Sequence, residues 1–544
     1  MDKHLDMISG KPIDHLAEAI RRVSLLPVDL LGALDGIRSM LSDLKQHPPE
    51  ATLYLTILEE IRKPLRQTIA AIGRSRYHDN PLPHMELEEA AFNQVISSLR
   101  LMNQAYGHCK LLLPKDADAR YHAQILHRNI YYVSSIIFEH YRARRDLPTG
   151  IWKEAHNYYE EAVQYDLASR LVIDAQEGGQ SISCAASYIA LLLVDLANPY
   201  ANSVDEQELI LRLARLGAPL VSIETLDSML DIPPFILDLG EDLPLHPPMR
   251  SEVEATARCL NTKQLGAHME SLHTRLKAEE KSRAVPLGDD LEKVECSFLI
   301  TILEQLYAPW MQARIPRRFH RHAGHGKINI CNGFEQMHLA VSGAPFVQPQ
   351  GRYIYNDRMI STAAEIVRLC RLDDRQLVDE HIIEKTRALL MLRPDGWTVV
   401  DQSASGFRLS RSIVGQSVSH GELLAVQPPG SEKYILAEVS WLMQDASGLH
   451  MGLAVMPGIP GAVAASAATS GEENATISQY EQAFLMPGLE HLGTEPSLII
   501  SRDLWKKSDG KVLLASGSNT VLVILDKILR MGKNFVMGNY RVES

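Results

Sequence analysis

A group of basic side chains is the feature of this sequence best suited to chemistry. Arg314, Arg317, Arg318, Arg321 and Lys327 fall within fourteen residues that contain no carboxylate. Guanidinium groups bind phosphate through paired hydrogen bonds, stack on planar bases and address the O6 and N7 edge of guanine. The group therefore predicts a ligand that carries both phosphates and guanines. The alternative interpretation is a solvated basic linker between two domains.

Histidines are interspersed among these arginines, at His320, His322 and His325. No Asp, Glu or Cys lies beside them to complete a metal-ligand set, and arginines repel a metal cation. We therefore expect no metal here. Protonated histidines that assist an anion site are the better interpretation.

A second feature is the turn of sequence DQSASG at residues 401–406, which lies between predicted strands at 397–400 and 407–409. Asp401 can accept hydrogen bonds from the N1 and N2 donors of guanine, and Ser403 can bond to a phosphate or a base. Gly406 permits a positive φ or the close approach of a ligand. The alternative is an ordinary Asx turn in a hairpin.

Taken together, the two features resemble the PilZ domain, a β-barrel that binds cyclic di-GMP. Arg317 and Arg321 match the ends of its RxxxR motif, and Arg314 and Arg318 form an overlapping match. In that family the arginines precede the first strand and wrap onto the phosphates and guanines of the ligand. The resemblance implies that Arg317 and Arg321 are the principal contacts, supported by Arg318 and Arg314.

The turn matches the second motif of that family, D/NxSxxG, through Asp401, Ser403 and Gly406. The resemblance implies that Asp401 and Ser403 contact a guanine and that Gly406 is required by the turn. It covers roughly residues 310–465, and the strands predicted at 439–441 and 449–455 extend it.

The spacing between the motifs departs from the family, because 80 residues separate Arg321 from Asp401. An insertion at about 344–394, with helices predicted at 362–370 and 376–390, accounts for most of the difference. We expect the arginines to reach the turn despite this insertion.

The rest of the chain predicts a multidomain α+β protein. Residues 1–305 are expected to form a large α-helical N-terminal region, with a break near 233–250. Residues 306–465 are expected to form a PilZ-like six-stranded β-barrel with a helical insertion, and 477–544 a small C-terminal β module. The small-residue segment 461–476 is predicted to be a linker, and residues 338–341 a short strand. Apolar residues at steps of three and four predict the helices, as in this set: Tyr54, Leu58, Ile61, Leu65, Ile69 and Ile72.

Composition narrows the class of protein. The 544 residues carry a formal net charge of −12, which disfavours nonspecific nucleic-acid binding. The six cysteines form no CxxC pair and no zinc-site spacing, so we expect reduced thiols. The sequence shows no signal-peptide pattern and no apolar run of membrane-spanning length, which predicts a cytoplasmic protein without membrane insertion.

The function expected from these features is binding and not catalysis. No GxSxG, HExxH, GGDEF-like or EAL-like sequence occurs, and no cofactor is expected besides the ligand cyclic di-GMP. We expect nucleotide binding to control an unidentified protein partner of the helical region, and the resemblance implies motility, pilus or biofilm regulation. The alternative is a helical scaffold or adaptor with a degenerate, non-binding barrel.

Overall fold

The protein is described by a computed structural model that divides into two compact units. The first unit comprises residues 1–80 and 84–316, and the second comprises residues 81–83 and 317–544. The described residues are 12–174, 180–226, 233–248, 257–278, 284–286, 293–313, 319–349, 394–468, 479–516 and 519–543. The predicted α+β class is confirmed.

The first unit is mainly helical. Its helices are α1 (Leu16–Ser24), α2 (Leu30–Gln46), α3 (Ala51–Arg76), α4 (Glu86–Leu112), α5 (Ala119–Arg142), α6 (Ile151–Gln164), α7 (Cys184–Leu196), α8 (Val204–Gly217), α9 (Lys263–Ala278) and α10 (Cys296–Trp310). Short antiparallel strands lie between them: β1 (Leu171–Asp174), β2 (Gln180–Ser183), β3 (Ser222–Thr225), β4 (Leu237–Asp238), β5 (Ala257–Asn261), β6 (Ala284–Pro286) and β7 (Lys293–Glu295). These small sheets were not predicted.

Local chemistry explains where these helices begin and what they bury. The carboxylate of Asp29 accepts from the amide of Gly32 at the start of α2, and Ser203 and Glu206 form a reciprocal capping box at the start of α8. The predicted apolar stripe lies on α3, where its residues are almost completely buried. No described helix is both long and apolar enough to cross a membrane.

A buried ionic network joins α3, α5 and β1. Asp174 is fully buried and accepts from Arg62 Nη2 at 2.9 Å and from Arg128 Nη1 at 3.0 Å. Glu59 accepts from the same two guanidinium groups at 3.0 and 2.8 Å. Two carboxylates thus balance two buried arginines, which is the condition for tolerating charge in a protein interior.

Replacement of Asp174 should destabilise the first unit, because Asp174→Ala leaves the guanidinium groups of Arg62 and Arg128 short of one buried carboxylate. We expect the free energy of unfolding to fall by about 3 to 5 kcal/mol, measured by urea unfolding monitored by far-UV circular dichroism. Asp116→Ala, at an exposed aspartate, is the control. Equal stabilities of the two variants would contradict this account of the network.

The second unit contains two β-barrels. Its strands are β8 (His322–Ala323), β9 (Lys327–Asn332), β10 (Asp395–Ser403), β11 (Gly406–Arg411), β12 (Leu423–Gln427), β13 (Ile435–Asp445), β14 (Gly448–Val455), β15 (Gly461–Ala467), β16 (Glu481–Met486), β17 (Ser497–Ser501), β18 (Lys511–Ser516), β19 (Asn519–Met531) and β20 (Phe535–Val542). The helices of this unit are α11 (Phe334–Ser342) and α12 (Arg502–Ser508).

The first barrel is the ring of strands β9, β10, β11, β14, β13 and β12, with β8 added beside β10. The predicted six-stranded barrel is therefore confirmed. Alternate residues fill its interior, and Trp397, Leu409 and Met451 are fully buried there. Leu82, from the short segment 81–83, is buried in the same core and exchanges backbone hydrogen bonds with Val418.

The second barrel is closed by strands β15, β16, β17, β20, β19 and β18. Its first strand, Gly461–Ala467, corrects the linker predicted from residue 461. Alanine and serine favoured a loop in the sequence, but here their small side chains fill the narrow space inside and beside the barrel. Residues 469–476 of that predicted linker lie outside the described residues.

Two further expectations concern the region between β9 and β10. Residues 338–341 were predicted as a strand but belong to α11. The prediction was wrong because the pattern of a short apolar run does not distinguish a strand from a helix. Gly333 and Gly343, both with positive φ, bound this helix. The predicted helices at 362–370 and 376–390 lie outside the described residues, as does most of the predicted insertion at 344–394.

The two barrels pack through a shared apolar core. Leu423 and Leu436 of the first barrel meet Phe484 and Phe535 of the second. Beside this core, the Glu422 carboxylate accepts from the backbone amide of Ser419 at 2.9 Å. Burial raises the pKa of Glu422 to about 7, although the charge of nearby Lys533 acts in the opposite direction.

The raised pKa of Glu422 predicts a pH-dependent stability. The folded state retains a proton that the unfolded state releases, so this contribution to stability falls as the pH rises from about 4.5 to about 7 and is constant above. Glu422→Gln should remove the dependence and stabilise the unit at pH 8 by roughly 1 to 3 kcal/mol, measured by urea unfolding. Exposed Glu432→Gln is the control. Parallel pH profiles of wild type and Glu422→Gln would refute the prediction.

Candidate functional site

An irregularity in β10 determines where Asp401 points. The pairing register between β10 and β11 shifts between Val399 and Asp401, which leaves Val400 as an extra residue. Val399 is buried in the barrel core, so strict alternation would also turn Asp401 inward. The bulge places Asp401 on the outer face instead.

The short strand β8 brings the arginine motif to this carboxylate. His322 pairs with Gln402 and Ala323 with Asp401, so Arg321 directly precedes the paired segment. Nη1 of Arg321 donates to Oδ1 of Asp401 at 2.6 Å. Arg321 therefore reaches the Asp401 turn across 80 residues of sequence, as predicted.

A second arginine faces the same carboxylate. Arg408 lies directly opposite Asp401 on β11, and its Nη1 is 4.0 Å from Oδ2 of Asp401. The side chains of Arg321, Arg408 and Asp401 are 34%, 49% and 22% exposed. Ion pairs with this exposure contribute little to stability, so the arginines can exchange partners at small cost.

The other two motif residues of the turn, Ser403 and Gly406, have surroundings that differ from those of Asp401. The Ser403 hydroxyl lies on the outer face beside Asp401, 3.2 Å from that of Ser405. Gly406 is buried, and a Cβ there would lie only 2.0 Å from the carbonyl oxygen of Leu453 on β14. Its φ is not positive. Glycine is therefore required by the close approach of β14, and the predicted positive φ was wrong.

The remaining predicted basic residues are only partly described. Arg314, Arg317 and Arg318 lie outside the described residues. His320, His322 and His325 are exposed near Arg321. In the described part of the chain, no group of three or more His, Cys, Asp and Glu side chains is arranged to hold a metal ion.

Three residues on the outer face were missed by the sequence analysis. Arg408 pairs with Gly452 on β14, and Gly452 pairs with Trp441 on β13. The Trp441 indole lies across Gly452, with Nε1 only 1.9 Å from the position that a Cβ would occupy. A half-buried aromatic ring therefore lies one strand beyond Arg408, a position suited to stacking on a base.

A serine and a histidine are in contact in the first unit. Ser187 Oγ lies 2.9 Å from His127 Nε2, while His127 Nδ1 lies 2.9 Å from Nη1 of Arg128. Because a guanidinium group can only donate, Nδ1 accepts and Nε2 carries the hydrogen. Burial, together with Arg128, lowers the pKa of His127 to about 3. His127 therefore cannot accept a proton from Ser187 through Nε2.

Part of the helical region is similar to a known protein family. Residues 17–228 match the family model of the N-terminal domain of the cyclic-di-GMP receptor FimW. The match extends from α1 to β3, within the helical region, and does not include the strands of either barrel. Comparison with curated proteins gives no match.

Gly406→Ala should disrupt the hairpin that carries Asp401, because the new methyl group would collide with the Leu453 carbonyl. We expect a loss of about 1 to 3 kcal/mol in the unfolding free energy of the second unit, measured by urea unfolding. Gly396→Ala, on the paired strand β10 of the same hairpin, is the matched control, since a Cβ there meets no atom within 4 Å. A Gly406→Ala variant as stable as the Gly396→Ala variant would show that the strands are not held this closely.

Proposed function

We propose that this protein is a receptor for cyclic di-GMP and that its binding site is the outer face of the first barrel around Asp401, as in a PilZ domain. The observation that carries the proposal is the contact between Arg321 and Asp401. Two segments remote in sequence, each suited to one part of a guanine dinucleotide, adjoin on one surface. The similarity of residues 17–228 to a domain of a cyclic-di-GMP receptor supports the proposal from a different part of the chain.

Binding would exchange one set of contacts for another. Asp401 accepts from Arg321 in the structure, and the same oxygens suit the N1 and N2 donors of guanine. Arg321 would then turn to a phosphate, which accepts paired hydrogen bonds from a guanidinium group. Ser403 lies on the same face and provides a further hydroxyl for the base or phosphate.

Arg314, Arg317 and Arg318 are proposed as additional phosphate and base contacts. In the sequence they lie between α10 of the first unit and β8 of the second. Ligand contacts with this connecting segment would therefore bias the helical unit through the chain that joins it to the barrel. We propose that the helical unit then engages a protein partner, in regulation of motility, pili or biofilm.

We also propose that the protein acts by binding and not by catalysis, in the cytoplasm. The tautomer of His127 supports this proposal, because it removes the serine–histidine pair of the first unit as a nucleophile and base.

Titration of the purified full-length protein with cyclic di-GMP by calorimetry tests the proposal. Arg321→Ala and Asp401→Ala should each weaken binding about 10-fold to 100-fold, since each removes a hydrogen bond to a charged group or a guanine edge. Arg541→Ala, at an exposed arginine on β20, is the matched control and should bind as wild type does. Cyclic di-AMP should give no comparable heat.

Two outcomes would reject the proposal. Absence of heat from the wild-type protein would favour the scaffold with a non-binding barrel. Unchanged affinity in both Arg321→Ala and Asp401→Ala would show that the nucleotide binds elsewhere. Thermal unfolding of each variant verifies that the second unit remains folded.

A further inference from the structure

The outer face of the first barrel continues beyond the Asp401 turn as a strip of small residues. Ser403 pairs with Gly406, Gly406 with Ala454, and Ala454 with Glu438, on four successive strands. Directly opposite residues share a face, so only the methyl group of Ala454 rises between the turn and Glu438. Side chains large enough to cover a ligand are absent from these two central positions.

A second carboxylate–arginine pair stands at the far end of this strip. Oε2 of Glu438 accepts from Nη1 of Arg530 at 2.7 Å, with side chains 18% and 46% exposed. The geometry matches that of Asp401 and Arg321 at the near end, where the corresponding distance is 2.6 Å. Each end of the strip thus carries a carboxylate paired with an arginine, and the near end has Arg408 in addition.

Arg530 belongs to the second barrel and reaches the strip because β19 is unusually long. The ladder between β18 and β19 ends at Lys511 and Ile524, whereas the ladder between β19 and β20 continues to Met531 and Val536. Residues 526–531 are all exposed. The second barrel therefore extends a two-stranded ribbon to the outer face of the first.

We infer that Glu438 and Arg530 form a second subsite for the same ligand. The inference rests on the proposed function. Cyclic di-GMP has two equivalent guanines and two phosphates, and each end of the strip has a carboxylate paired with an arginine. β10 and β13 are three strand spacings apart, roughly 14 Å. Glu438 accepts hydrogen bonds from the second guanine as Asp401 does from the first. Arg530 binds the phosphate that adjoins the second guanine.

This arrangement determines how the ligand lies. One molecule spans the strip with its bases apart, over Ala454 and beside the Trp441 indole. The stoichiometry is one ligand per chain, and the second barrel is a component of the binding site. A stacked pair of ligands held only by the arginines near Asp401 would not contact Glu438.

Calorimetric titration of full-length variants with cyclic di-GMP tests the second subsite. Glu438→Gln and Arg530→Ala should each weaken binding about 10-fold or more, with one ligand per chain. Guanosine monophosphate, which provides only one base, should occupy both ends of the strip in the wild-type protein but only the Asp401 end in the Glu438→Gln variant, which therefore takes up one monophosphate fewer per chain. The matched controls are Glu432→Gln and Arg541→Ala, both at exposed positions away from the strip.

A charge swap distinguishes two roles of the Glu438–Arg530 pair: binding the ligand, and holding the two barrels together. Glu438→Arg combined with Arg530→Glu restores an ion pair and should restore thermal stability, but binding should remain weak because the acceptor faces away from the strip. Wild-type affinity in the swap, wild-type affinity in both single variants, or two ligands per chain would overturn the inference. If the second subsite is rejected in this way but Arg321→Ala and Asp401→Ala still weaken binding, the proposed function stands without the second subsite. Absence of binding to the wild-type protein rejects both.

Discussion

The contact between Arg321 and Asp401 is the interaction on which the candidate site depends, and backbone geometry produces it. The bulge at Val400 turns the carboxylate to the outside of the first barrel, and β8 holds the arginine beside the same strand. A regular strand would direct Asp401 into an apolar core, where an ionised carboxylate is strongly disfavoured. The bulge therefore decides whether the carboxylate of Asp401 and its partner arginine lie on a surface that a ligand can reach.

Exposure distinguishes the ion pairs of the site from those of the scaffold. Arg62, Arg128 and Asp174 are almost fully buried, and breaking their network leaves an uncompensated charge. Arg321 and Asp401 keep partial contact with water, and such pairs contribute at most about 1 kcal/mol. In the proposed function, a dinucleotide with two phosphates competes for Arg321 without loss of folded structure. The buried network stabilises the helical unit, whereas the exposed pair is able to respond to a ligand.

Glycines shape the surface between the two ends of the strip. Gly406 lets β11 approach the Leu453 carbonyl, and Gly452 makes room for the Trp441 indole. At both positions a neighbouring group occupies the space that a side chain would need. The centre of the outer face consequently has no large side chains, and the charged side chains lie at its edges.

The sequence by itself determined the features whose physical basis is local. The apolar stripe on α3 and most strands of the first barrel followed from periodicity and turn chemistry, whereas the choice of Arg321, Asp401 and Ser403 followed from side-chain chemistry and the resemblance to the PilZ domain. Short or small-residue segments were ambiguous, which is why residues 338–341 and Gly461–Ala467 were assigned wrongly. Tertiary structure alone decided the bulge at Val400, the position of Arg408 opposite Asp401, and the meeting of Glu438 with Arg530. These depend on cross-strand register and on packing between barrels, which relate residues far apart in the chain and leave no local pattern in the sequence.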